Sequence, residues 1–158
     1  MKLTDLVVNE AVIVKLEGAK RNEVIEELLD ALVAAGRVDT GNRDDYLKAI
    51  IKREKRGSTG FGHGVAVPHA KAESIDQISV AIGLCADGVD FNALDQQPVH
   101  AVFLLLSPED RPEDHLDAME AIFGSLSQEQ FRRFLFQAQS IDDVMTLLDE
   151  HDKSQATR

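Results

Sequence analysis

The chain of 158 residues has no tryptophan, one tyrosine and one cysteine. A single cysteine excludes an internal disulfide framework, so packing alone must hold the fold. Cys85 lies in the apolar run ISVAIGLC and reads as a small core residue, and the shortage of thiols suits a reducing cytosol. No apolar run approaches the roughly 20 residues that span a bilayer. The opening MKLTDLVVNE lacks the basic start and apolar stretch of a signal peptide. Cations are scarce as well. Against 28 Asp and Glu stand 17 Lys and Arg, a net charge of −11, and KREKR at 52–56 is the one basic cluster. Such a surface repels nucleic acid and anionic membrane. A functional anion site must therefore be local, built from a few cations and backbone dipoles.

What is present reads as one domain over 1–150, with a polar, frayed tail HDKSQATR at 151–158. A short strand is expected over 11–16. In NEVIEELLDALVAAG the residues Val24, Ile25, Leu28, Leu29, Leu32 and Val33 have helical spacing, with Gly36 as the C-cap. A second helix is expected from Arg43 to Lys55. Its stripe Tyr46, Ile50 continues at Arg53, which is thereby placed on an apolar face. GSTGFGHG (57–64) holds four of the ten glycines and reads as a loop with positive-φ or close-approach positions.

VAV is a brief strand closed by Pro68, which has no N–H for a ladder. ISVAIGL (78–84) and VHAVFLLL (99–106) are the best strands, the second apolar enough to be buried on both faces. A helix is expected from Pro112 to Leu126. Two more follow, introduced by the capping pairs Ser127 with Gln130 and Ser140 with Asp143. The pattern predicts a mixed sheet layered between helices, an α/β domain.

Of the five histidines, His63 between two glycines reads as exposed, His100 as a core or edge residue and His151 as tail. His69 and His115 draw more features together. Pro68 fixes its own φ and restricts the residue before it, and so fixes how His69 leaves its strand. Upstream, loop N–H groups with Ser58 and Thr59 would suit an anion-binding nest. His115 falls in the first turn of its helix, where anions are favoured, and heads the inward stripe His115, Met119, Ile122, Leu126. From spacing alone the plainer reading of His115 is a satisfied core histidine, and of Arg53 a snorkelling arginine. Together the three suit phosphate. The loop lacks the Gly-Lys-Ser/Thr ending of a Walker sequence, and no kinase pattern is present.

REKRGSTGFGHGVAVPHAK (53–71) resembles the signature of the type-2 enzyme IIA domains of the bacterial phosphoenolpyruvate:sugar phosphotransferase system, the fructose/mannitol and nitrogen-regulatory class. The resemblance extends over nearly the whole chain and takes in HL…AIF at 115–123. It implies an α/β/α sandwich of the mannitol/fructose IIA type. It implies His69 as the phosphorylated histidine, charged through Nε2 by the carrier protein HPr, with Arg53 and His115 around the phosphoryl group. Glu54, Ser58, Thr59 and Gly60 match the motif and are expected to support or bind phosphate, while nothing carries over to His63. The second nitrogen of His69 is expected to donate to a backbone carbonyl. No cofactor or metal is called for.

The recipient divides two readings. A sugar-transport IIA passes phosphate to a IIB domain, whereas a nitrogen-regulatory IIA binds target proteins according to its phosphorylation. With neither a IIB nor a permease segment in the sequence, the regulatory reading is favoured, in the cytoplasm. Two further alternatives are a degenerate binding module that takes no phosphate and a zinc site from His63, His69 and His115. The latter fits no standard ligand spacing.

Overall fold

A computed structural model describes residues 1–156. In chain order the elements are α1 (Leu3–Leu6), β1 (Val7–Ile13), α2 (Arg21–Ala34), a 3-10 turn (Thr40–Asn42), α3 (Arg43–Arg56), β2 (Gly60–Gly62), β3 (Val65–Ala66), β4 (His69–Ala72), β5 (Ser79–Val89), β6 (Val99–Pro108), α4 (Pro112–Leu126), α5 (Glu129–Gln137) and α6 (Ile141–Ala156). The strands form one mixed six-stranded sheet in the order β1-β5-β6-β3-β2, with β4 also on β6. Parallel pairs join β1 to β5 and β6 to β3 and β4, while β5 with β6 and β2 with β3 are antiparallel.

β6 shows why the sheet needs cover on both sides. Val102, Leu104 and Leu106 pack with α2 and α3, through Leu28, Leu32, Tyr46 and Ile50 among others. Ala101, Phe103 and Leu105 point the opposite way, into Ile122, Leu126, Leu135, Val144 and Leu148 of α4, α5 and α6. The strand period of two thus feeds two separate cores, and helices layer both faces as expected.

β3 and β4 are one strand in two pieces. Ala66 lies opposite Val102 and His69 opposite Leu105, so register is kept across the break. Pro68 has no N–H, which interrupts the ladder, yet its carbonyl still accepts from the Leu105 N–H at 3.0 Å. His69 therefore opens a strand, where an exit from one was expected. The glycine segment likewise differs from a free loop. It folds into the β2–β3 hairpin, whose tip runs through positive φ at Gly62, His63 and Gly64. At Gly60 a Cβ would come within 2.8 Å of the Ala93 Cβ, so only glycine lets the hairpin seat there.

Several expectations need correction. The first strand is Val7–Ile13 and not 11–16. Gly36 does end its helix: the Arg37 and Gly36 N–H groups close back on Leu32 and Val33. The pair Ser140–Asp143 caps α6, the Asp143 N–H donating to Ser140 Oγ at 3.1 Å. Ser127 caps nothing, because its hydroxyl donates back to the Gly124 carbonyl at 2.9 Å and α5 starts later. Cys85 is half-buried and packs against the edge of the core without being enclosed by it.

The expected tail is helical to Ala156, and only its last two positions, 157 and 158, lie outside the described residues. The reason is Asp152. Its buried carboxylate accepts the N–H groups of Leu3 and Thr4 at 2.8 and 3.0 Å and the Thr4 hydroxyl at 2.7 Å. These are first-turn donors of α1 that no side chain of its own N-cap satisfies. Asp152→Ala would strand them, and we expect a loss of about 2 kcal/mol. Urea unfolding should show this as a lower midpoint at unchanged slope; an unmoved midpoint would mean that α6 is not held by this contact.

Candidate functional site

The register of β4 on β6 puts three polar residues on one face. His69 sits opposite Leu105 and Lys71 opposite Ser107, and that face of β6 is covered by α4. α4 brings His115 in its first turn, buried at 6% exposure. The His69 and His115 rings meet with centroids 5.6 Å apart, tilted by 52°. Residues 46 positions apart in sequence thus form one pair, because a strand start and a helix start share one end of the sheet.

Each imidazole is held by one ring nitrogen. His69 Nδ1 lies 2.9 Å from the Val67 carbonyl oxygen, which accepts from it. His115 Nδ1 lies 2.7 Å from Oγ of the fully buried Ser107. Burial is the main influence that lowers the His69 pKa below its ordinary value. The Val67 hydrogen bond opposes this, Arg53 and Lys71 add to it, and Glu54 opposes it. Burial again leads for His115, assisted by His69 and Lys71, and brings it down to about 4. Burial thus favours the neutral form of both rings.

Arg53 is half-buried on α3, its Nη1 donating to the Gly57 carbonyl at 2.8 Å. With Arg56, Gly57 and Ser58 it lines a shallow depression of about 330 Å³. The apolar stripe of α3 does not continue at Arg53, as expected from i+7. It continues at Glu54, four residues after Ile50, which is 2% exposed. Arg53 is thereby left at the edge of the stripe, close enough for its charge to act on His69.

The loop groups expected to form a nest are already engaged within the chain. The Glu54 carboxylate accepts the Thr59 N–H at 3.2 Å and the Thr59 hydroxyl. Ser58 donates to the Phe91 carbonyl at 2.9 Å and accepts the Gly60 N–H at 3.0 Å. Ser58, Thr59, Gly60 and Glu54 thus brace the turn between α3 and the hairpin. His63 is exposed at the hairpin tip, as expected, and among the described residues no three His, Cys, Asp or Glu side chains converge as they would around a metal.

Two members of the constellation were not singled out from the sequence. Lys71 was readable as the residue two after His69, hence on the same strand face. Ser107 is a polar residue at the end of an unbroken apolar strand, which is itself a signal, since a buried hydroxyl needs a partner.

The family model described as phosphoenolpyruvate-dependent sugar phosphotransferase system, EIIA 2, matches residues 5–151. The fructose-specific EIIABC component of Bacillus subtilis is 36% identical over 97% of this chain, which spans 24% of that protein's length. The fructose-specific EIIA component of Haloferax volcanii is 40% identical over 132 residues, 84% of each chain. Among solved structures, the nitrogen regulatory protein IIA-Ntr of Neisseria meningitidis superposes with a TM-score of 0.83 at 28% identity, covering 92% of this chain and 98% of that one. The match runs through the α3–hairpin motif and both histidine-bearing elements, and the chain belongs to the type-2 EIIA family, the phosphocarrier components of the phosphoenolpyruvate-dependent sugar phosphotransferase system.

Proposed function

We propose that the chain carries its phosphoryl group on Nε2 of His69, received from a phosphorylated HPr-type carrier protein in the cytoplasm. The observation that supports this most directly is the 2.9 Å contact from His69 Nδ1 to the Val67 carbonyl. A carbonyl only accepts, so Nδ1 holds the proton and Nε2 of the neutral ring keeps its lone pair. That lone pair forms the new N–P bond while the P–N bond to the donor's histidine breaks, its electron pair returning to the donor ring. No proton has to leave Nε2. As the bond forms, the His69 ring gains positive charge, which the Val67 carbonyl stabilises through Nδ1–H. The passing phosphoryl group carries its negative charge on the equatorial oxygens. Arg53 and His115 are placed to hold these, with Lys71 adding a further cation.

Incubation with phosphoenolpyruvate, enzyme I and HPr should label the protein with an acid-labile phosphate on His69. His69→Ala should abolish the label, and a stoichiometric label on that variant would sink the assignment. His115→Ala should fold and still be labelled but pass phosphate on about a hundredfold more slowly, the range found when one preorganised donor is removed. An unchanged rate would return His115 to the core.

The pH dependence has a definite sign. Only the neutral ring attacks, and burial sets the His69 pKa below 6.5. Acceptance should therefore stay level above about pH 6.5 and fall as pH drops through the lowered value. NMR titration should find His115 near 4. A His69 that titrates above the ordinary histidine value would contradict the account.

The recipient follows from a second step of the same experiment. Relatives carry both fructose-specific and nitrogen-regulatory names. Rapid loss of label to an added sugar-specific IIB protein marks a transport component. A retained label that changes the binding of target proteins marks a regulatory one.

A further inference from the structure

We infer that Ser107 is a positioning residue that fixes His115 in the Nε2–H tautomer, opposite to that of His69, and so decides which of the two imidazoles is the nucleophile. The inference rests on the phosphocarrier reading for its consequence but not for its geometry. Ser107 is fully buried near the end of β6, and its Oγ has one hydrogen-bond partner among the described residues, His115 Nδ1 at 2.7 Å. Two arrangements fit that distance. If His115 Nδ1–H donated to Oγ, the serine proton would point into the core with no acceptor. If Ser107 donates to a bare Nδ1, both groups are satisfied at once. A buried donor without a partner costs about as much as a lost hydrogen bond or more, so the second arrangement wins. The neutral His115 then carries its single proton on Nε2.

The two histidines are thus sorted by what supports them. Val67 offers a carbonyl, which cannot donate, and leaves His69 with a bare Nε2. Ser107 offers a hydroxyl with a proton to give, and leaves His115 with Nε2–H. A bare Nε2 on His115 would set a lone pair against the lone pairs of the phosphoryl oxygens and offer a second nucleophile beside the first. An N–H in its place is a neutral donor to those oxygens. Rings 5.6 Å apart and chemically identical in sequence acquire separate tasks from a carbonyl and a hydroxyl.

The test is nitrogen-detected NMR of histidine-labelled, unphosphorylated protein above the histidine pKa range, where the long-range imidazole couplings distinguish the tautomers. Wild type should show Nδ1–H on His69 and Nε2–H on His115. Ser107→Ala should let His115 shift toward Nδ1–H and should slow phosphoryl acceptance about tenfold, the effect of about one hydrogen bond. Ser107→Thr, which keeps the hydroxyl, should restore the wild-type tautomer. Nδ1–H on His115 in wild type overturns the inference, as does a Ser107→Ala variant with unchanged tautomer and rate. Should Ser107→Ala fail to fold, the wild-type tautomer decides alone. Failure of His69 to take any label defeats the phosphocarrier reading and leaves the tautomer result standing.

Discussion

The site depends on the peptide that joins Val67 to Pro68. A proline inside a strand that is parallel to β6 removes one ladder donor, yet Ala66 and His69 keep the register they would have in an unbroken strand. Continuity of register holds His69 against β6, and the Val67 carbonyl is bonded to the ring of His69. The acceptor that sets the His69 tautomer is thus backbone, two residues away, on a chain that proline has already stiffened. A side chain in the same role would have to lose rotamer freedom of its own on forming the contact. The strand, the pairing with α4 and the chemistry all refer back to that one fixed geometry.

On the phosphocarrier reading, the same economy explains how an acidic chain would handle an anion. With a net charge of −11 and few cations, the protein cannot surround phosphate with a basic field. It places Arg53 and Lys71 near His69 and keeps both imidazoles neutral by burial. Charging both rings at their 5.6 Å separation would cost about 3 kcal/mol at an effective dielectric constant near 20, on top of their desolvation. Burial and mutual repulsion therefore both favour the neutral pair. Hydrogen bonds supply direction, and the two long side chains supply the charge.

Much of this was legible in the sequence, and the failures have physical causes. The apolar run of β6 announced a strand buried on both faces, and that set the layered architecture. The glycines, Pro68 and His69 marked the site, and the stripe of α4 brought His115 inward. Arg53 was assigned the buried position because a helical stripe allows steps of three or four. The structure uses four, so Glu54 enters the core and Thr59 satisfies it. The same contact bears on the expected nest: the Thr59 N–H and hydroxyl, which look free in a glycine-rich segment, are engaged by the neighbouring Glu54 carboxylate. The helical tail was unreadable for a related reason. Its sequence is polar but for Ala156, and what orders it is the capping of α1, some 149 positions away, by Asp152. Local composition carries no sign of so distant a partner.

On the phosphocarrier reading, loading the site reverses its electrostatics. A phosphoryl group on His69 carries between one and a half and two negative charges, at roughly −1.5 to −2 near neutral pH, beside an imidazole whose pKa has been lowered to about 4. An adjacent anion favours the protonated form of His115, opposing the burial and the positive neighbours that lower it. Protonation of His115 in the loaded state would turn Nδ1 into a donor and Ser107 Oγ into its acceptor, at the cost of leaving the serine proton without its present partner. A carrier has to take a group up and give it away without binding it too tightly at either step. A ring held neutral by burial, and charged only when an adjacent anion outweighs that cost, adjusts its own attraction to the cargo. The serine hydroxyl suits His115 because it has a proton to give, whereas the Val67 carbonyl suits His69 because it can only accept.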